Sequence, residues 1–465
     1  MEKMEPKYII LDFATTEVVR GSFGYDPYIL YSFLKTSGAN VELFEDVTPL
    51  KVHKQLLKSR EESRLRVLSA FWSYQQEEAN EWLLTEFPEA EFFGYRPLIK
   101  RDGVKEYVLD DTAIHIGIAH LHEYIEEFAY GLLSDCDLHT KSDDARRVVP
   151  LFSSYGCGCN CTFCPVPPNR KHALNRRVAV SLEEFRTMCQ WAFRNDYNVH
   201  FCDEDFIGFF GEGLEKLNVL RQTNPRNNKI IFLTTVSSLK NLLNTLIHAN
   251  IDPETYLREA GVHLIEVGLE SPSLRAVMNK TGTMDDVMFI VKTLPKDMVF
   301  WLTMSLFPGE NIQTLNDAGE WFDEHGFSIN ELGDRLSAST TGGLGQFFQL
   351  YHDSNGYLDA ARGCIVLDGT PTRLSPSIIP MSLYNDCFTI NEKAMAVRRE
   401  EIKFWVERYN IGPDATTDFK DCRNTRTYCV AEFLAGVWNN PRVLRKRLMY
   451  ILILARYRVF QAVQQ

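Results

Sequence analysis

The chain has 465 residues, a net charge of −12, and 45% hydrophobic and 24% charged side chains. That is the make-up of a globular protein of two or three domains with ample length to bury a core. The acidic balance argues against a long non-specific grip on a nucleic-acid backbone, and no apolar run reaches the length of a membrane span. Two short basic clusters read as solvated surface: Arg170, Lys171, Arg176 and Arg177, and Arg442, Arg445, Lys446 and Arg447. The start, MEKMEPKYII, lacks the basic segment and apolar core of a secretory leader. Eleven cysteines, an odd number, do not form a secreted disulfide framework. A reducing cytoplasm is the expectation.

Lys7 to Phe13 reads as a buried strand, and Tyr28 to Thr36 as a helix with Pro27 ahead of it and Gly38 as its stop. Asn40 to Phe44 is a strand, Leu50 to Ser59 a helix, Arg66 to Trp72 a strand, Gln75 to Glu86 a helix, and Ala90 to Phe93 a short strand. This alternation implies a parallel sheet, in a Rossmann-like or flavodoxin-like doubly wound domain. Its strand ends carry Ala14, Thr15 and Thr16, then Asp46, then Ser73 and Tyr74. No Gly-x-Gly-x-x-Gly is present, so a dinucleotide is not supported. His115, His120 and His122 are loosely spaced and read as surface positions leading into a helix near Glu123 to Leu133. Lys141 to Arg147 reads as a linker.

Val148 to Ser153 is a strand that feeds directly into CGCNCTFC, where Cys157, Cys161 and Cys164 stand as Cys-x3-Cys-x2-Cys. Thiolates are soft ligands suited to iron–sulfur clusters, zinc or cuprous ions. Structural zinc sites come as two separated pairs, and no second pair follows at that distance. A full cubane usually takes four cysteines, so three would leave one iron open. Cys159 falls at no motif position and reads as a bystander or spare ligand. Strands then recur at Asn198 to Cys202, Lys229 to Val236, His263 to Gly268, Met298 to Leu306 and Phe327 to Leu332. Ser181 with Glu184 forms a capping-box pattern opening a helix to about Asn195. Helices are also expected at Pro253 to Glu259, Ser271 to Lys280, Met284 to Thr293 and Ile312 to Glu324. Six strands give an open (β/α)6 barrel. Three strand ends are polar: Asp203, Glu204 and Asp205; Glu270 and Ser271; and Gly309 and Glu310.

The cysteine spacing, with Phe163 before the last cysteine, resembles the cluster loop of the radical S-adenosylmethionine (SAM) superfamily. The stretch Gly268 to Gly282 (GLESPSLRAVMNKTG) resembles the branch shared by cobalamin-dependent and methylthio-transferring members, and GYDPYILYSFLKTSGANVELFED resembles their N-terminal cobalamin-binding-type domain. The resemblance implies a [4Fe-4S] cluster on Cys157, Cys161 and Cys164 and reductive cleavage of SAM to a 5′-deoxyadenosyl radical for hydrogen abstraction. It implies SAM contacts from Asp203, Glu204, Asp205, Glu270, Ser271, Arg275, Gly309 and Glu310, and a reductant such as flavodoxin or ferredoxin. With cobalamin, the reaction would be methylation of an unidentified substrate. Asp-x-His-x-x-Gly, the cobalt-ligating motif of many cobalamin proteins, is absent, so isomerisation, rearrangement or another modification stays open. The competing class is a non-enzymatic zinc or electron-transfer protein built on the same loop.

The expected organisation is α/β: a Rossmann-like domain over 1–145, a radical SAM partial barrel over 146–345, and a mostly helical domain over 346–465. Helices in the last are expected at Asn391 to Tyr409, Thr427 to Trp438 and Pro441 to Val463. Its Cys364, Cys387, Cys422 and Cys429 read as free thiols rather than a second cluster.

Overall fold

The computed structural model describes residues 6–11, 26–44, 56, 65–71, 87–88, 90–97, 105–107, 109–128, 146–159, 161, 178–208, 212–276, 278, 280–305, 312–325, 346–347, 365–367 and 370–372. Two parallel sheets organise them.

Lys7–Leu11 (β1) is apolar at consecutive positions because both its faces are buried. Ile9 and Leu11 pack with Leu56, Leu65, Val67, Phe87 and Phe92, while Ile10 turns to the opposite face with Tyr28, Leu30 and Leu68. Full burial of such a side chain is worth about 1.5–3 kcal/mol. β1 lies between Asn40–Phe44 (β2) and Leu65–Phe71 (β3), parallel to both. Glu91–Pro97 (β4) and Lys105–Tyr107 (β5) extend the sheet in parallel, giving the order 2-1-3-4-5. β5 has no counterpart among the expected strands. Asp26–Thr36 (α1) begins with Pro27 in its first turn and stops where Gly38 takes φ 77°.

The histidine segment departs from expectation. Asp111–Tyr124 (α2) is helical well ahead of the start expected near Glu123, and Asp110 caps it by accepting from the Ala113 N–H at 2.8 Å. The histidines break the apolar pattern, yet Ile118, Leu121 and Ile125 recur at helical spacing and are buried. Of the expected helix from Glu123 to Leu133, the described residues hold the end of α2 and the short 3-10 turn Ile125–Glu127. The helices expected over 50–59 and 75–86 lie almost wholly outside the described residues.

The second sheet runs 13-12-11-10-9-6, with every neighbour parallel. Its strands are Val148–Leu151 (β6), Asn198–Phe201 (β9), Ile230–Thr234 (β10), Val262–Glu270 (β11), Val299–Ser305 (β12) and Gln346–Phe347 (β13). Five lie where apolar runs predict them. The sixth is Gln346–Phe347; the expected strand over 327–332 lies outside the described residues. Ser154–Tyr155 (β7) and Val178–Ala179 (β8) form a separate antiparallel pair. A further hairpin joins Ile365–Leu367 (β14) and Thr370–Thr372 (β15). The helices expected over 391–409, 427–438 and 441–463 lie outside the described residues, as do Cys364, Cys387, Cys422 and Cys429.

Leu182–Arg194 (α3) opens with the expected capping box on Ser181 and Glu184. Glu212–Thr223 (α4), Val236–His248 (α5), Pro253–Glu259 (α6), Met284–Thr293 (α7) and Ile312–Glu324 (α8) follow. Phe185 of α3 meets Phe201 of β9 at 5.4 Å, and Phe206 stacks between Phe201 and Phe232 at 4.6 and 4.7 Å. The face carrying Phe201 and Phe232 is thus the helix-covered side. One hydrophobic cluster runs from Ile10 and Tyr28 through Ile118 and Leu121 to Val149, Phe185 and Ile265, joining the two sheets across α2.

Candidate functional site

Parallel α/β sheets present their sites at the carboxyl ends of the strands. The cysteine loop leaves the carboxyl end of β6 through β7 and returns through β8. Ser154 pairs with Ala179 and Tyr155 with Val178, so a short ladder closes the base of a loop that contains Cys157, Cys161 and Cys164. Cys157, Cys159 and Cys161 are buried. Cys164 lies outside the described residues. Among the described residues, no three His, Cys, Asp or Glu side chains gather as a metal set.

The acidic run after β9 divides by role. Asp203 is fully buried and accepts from the Ser153 N–H at 3.0 Å and from the Ser153 and Ser154 hydroxyls at 2.5 Å each. It ties down the strand that enters the cysteine loop. Asp205 accepts from the Thr234 hydroxyl at 2.7 Å, the Ser238 hydroxyl at 2.8 Å and the Gly208 N–H at 3.3 Å, fixing the start of α5. Glu204 is half-buried and accepts from the Gly156 N–H at 2.8 Å, one residue before Cys157. Asp203 and Glu204 therefore brace the entering side of the loop, while Asp205 fixes α5.

At the end of β11, Glu270 takes φ 62° where the register with β12 slips between Gly268 and Glu270. Its carboxylate pairs with Lys280 at 2.9 Å in a nearly enclosed contact. A Cβ on Gly268 would sit 2.7 Å from both Glu270 Oε1 and Lys280 Nζ, so only glycine leaves room for the pair. Arg275, buried, donates to four backbone carbonyls: Gly268 at 3.0 Å, Leu269 at 2.9 Å, Gly282 at 3.0 Å and Thr281 at 2.5 Å. The described residues of the stretch expected as a helix from Ser271 to Lys280 form turns, gathered around this guanidinium. Ser271 is buried too, and Cys159 Sγ lies 3.7 Å from the Thr281 hydroxyl. Gly309 and Glu310 lie outside the described residues.

Charge links these parts. Burial works to lower Lys280, but the fields of Glu270 and Cys161 outweigh it and hold the ammonium above its ordinary value. Burial pulls the Arg275 guanidinium below its ordinary value, against the opposing fields of Glu270 and Cys161. The Cys157 thiol is pushed up by its contact with Cys159, then by burial, with Asp205 adding to both.

The reading of the sequence missed a pair on the inner face of the second sheet. His200 and Glu266 approach to 3.6 Å across β10. Their strand registers place both opposite the helix-covered face of Phe201 and Phe232. Glu266 lies two residues below Gly268 on the same side of β11. A signal existed: a charged residue in an otherwise apolar strand, HLIEVG, is rarely buried without purpose.

No curated protein matches the chain. Among solved structures, a cysteine-to-alanine mutant of spore photoproduct lyase with dinucleoside spore photoproduct aligns at 12% identity. The alignment covers 71% of this chain and 75% of that chain with a TM-score of 0.27, too low to establish a shared fold. The family model described as the Radical SAM superfamily matches residues 151–322, from the last residue of β6 through the cysteine loop to α8. Residues 151–322 of this chain thus carry a radical SAM domain.

Proposed function

We propose that the chain is an enzyme in which Cys157, Cys161 and Cys164 hold a [4Fe-4S] cluster for the reductive cleavage of SAM and hydrogen abstraction from a substrate. The observation that carries this reading is the three-cysteine loop, closed at its base, rising from the first strand of a parallel sheet within the matched family domain. The donor set fits the group. Cys157 and Cys161 are buried on one loop, and Lys280 and Arg275 lie close enough to Cys161 to offset the charge of thiolates. When bound, the cluster supplies the electron that breaks a carbon–sulfur bond of SAM.

The chain's own residues do the remaining work. Asp203 and Glu204 fix the entering side of the loop. Arg275 holds the turn after β11 in shape, which keeps Lys280 and Glu270 beside the loop. We assign Lys280 to the SAM carboxylate, and Glu204 and Glu270 to its ammonium, by charge-assisted hydrogen bonding. Glu204 is preferred to Asp203 and Asp205 because their oxygens serve the loop base and α5. His200 and Glu266 on the inner sheet face would meet a polar group of the substrate. A low-potential reductant such as flavodoxin or ferredoxin supplies the electrons.

A second reading adds cobalamin and methyl transfer. Its support is the first sheet, whose parallel order 2-1-3-4-5 is that of doubly wound folds that bind ligands at strand ends. Anaerobic purification with iron, sulfide and cobalamin, followed by metal analysis and a visible spectrum, separates these readings. Iron near four per chain, with SAM converted to methionine and 5′-deoxyadenosine on reduction, is the expected outcome. A corrinoid band selects the methylating reading, and its absence selects isomerisation, rearrangement or another modification. Zinc in place of iron, in protein kept from air, would overturn the proposal.

A further inference from the structure

The two sides of the cysteine loop are held from different parts of the molecule. The entering side, 153–156, is fastened from the second sheet by Asp203 and Glu204. The returning side, β8, is reached from α2, which packs on α1 of the first sheet. His115 of α2 places Nδ1 3.2 Å from the Ala179 carbonyl oxygen and Nε2 3.1 Å from Glu184 Oε1. A carbonyl and a carboxylate only accept, so the ring nitrogen carrying the proton donates to the partner it faces, and the tautomer sets which of the two contacts is the hydrogen bond. Ala179 is the β8 residue paired with Ser154. Glu184 is the residue whose other oxygen closes the capping box of α3 with the Ser181 N–H at 2.7 Å. One imidazole therefore bridges the returning side of the loop to the helix that follows it.

A two-residue ladder is marginal without support, which gives this bridge its importance. The opposite side of α2 is anchored just as closely. Gly117 lies two residues after His115, about 200° around the helix. A Cβ on Gly117 would fall 2.5 Å from the Ile29 carbonyl oxygen of α1, so the two helices touch backbone to backbone there. α2 is thus a strut with the first sheet's helix layer on one side and the base of the cysteine loop on the other. It also touches β6, β7 and α3.

We infer that His115 is a positioning residue for the cysteine loop, and that through it the first sheet sets the geometry of the loop's returning side. The consequence for a bound cluster rests on the function proposed above; the clamp itself does not.

The test is hydrogen–deuterium exchange of the full chain, without added iron and under anaerobic reducing conditions, comparing wild type with His115→Ala. Peptides covering 154–159 and 178–184 should exchange about fivefold faster in the variant, with β1 and β11 unchanged. Glu184→Gln removes the charge from the opposite partner while keeping a capping-box side chain, and should reproduce the loop effect without touching α2. After reconstitution with iron and sulfide, His115→Ala should change the electron-paramagnetic-resonance line shape of the reduced cluster. His115→Gln, which keeps one donor, should move it part of the way back. Unchanged exchange at the loop base in both His115→Ala and Glu184→Gln overturns the inference. Faster exchange at the loop base in a chain whose wild type takes up no iron upholds the clamp and overturns the cluster reading.

Discussion

Lys280 and Glu270 form a nearly enclosed ion pair beside the cysteine loop, with side chains 12% and 10% exposed. Removing one member of such a pair strands the other in a poor solvent. Lys280→Met should therefore lower stability by about 2–4 kcal/mol, and adding Glu270→Gln should restore most of it. Urea denaturation of both variants checks this; a double variant no better than the single would show that the pair is not the cause. Gly268→Ala acts on the same pair by wedging it apart. We expect it to weaken SAM binding about tenfold and to lower stability by about 1–3 kcal/mol. Anaerobic calorimetry on the reconstituted protein gives the first figure and urea denaturation the second.

At the scale of elements, α2 carries the joint between the sheets, and its buried histidine makes that joint sensitive to acid. His122 is 7% exposed and meets Trp191 of α3 edge-on at 5.5 Å. Burial holds its imidazole below the ordinary value of 6.5, against the weaker upward pulls of Glu123 and the Ala119 carbonyl. The unfolded chain then binds a proton near pH 6.5 that the folded chain refuses. Stability from this site is fully present above that range and falls as pH drops below it, by up to about 1.4 kcal/mol per pH unit. His122→Phe keeps the aromatic edge contact and should flatten that slope between pH 7.5 and 5.5 by about one proton's worth. A slope unaltered by the substitution would place the acid sensitivity elsewhere.

At the scale of the whole molecule, the shared hydrophobic cluster makes the two sheets one structure rather than beads on a linker. Ile118, Leu121 and Ile125 belong in sequence to the first half and in packing to a core that includes Val149 and Phe185. A fragment beginning at residue 146 would expose the apolar surfaces that α2 covers. We expect such a fragment to lack a cooperative thermal transition by circular dichroism, whereas the full chain shows one. A fragment that melts cooperatively at the full chain's temperature would refute this.

Local sequence determined what local physics decides. The apolar runs at 148–151, 198–201, 230–234, 262–270 and 299–305 are strands because buried parallel strands need apolar residues on both faces. Ser181 and Glu184 cap a helix because both halves of the box lie three residues apart. The cysteine spacing was legible because Cys157, Cys161 and Cys164 lie within one short stretch of chain. What tertiary structure alone decided is which polar groups face each other across long separations. Asp203 and Asp205 read as ligands by position, yet they meet Ser153 and Ser238, 50 and 33 residues away. Arg275 read as an anion partner, yet it gathers carbonyls from a turn that had looked helical. His115 read as a surface residue, yet it meets Ala179 and Glu184, 64 and 69 residues on. Charge and hydrogen-bonding capacity are written in the sequence, but the partner that satisfies them is chosen only when the two sheets close on α2.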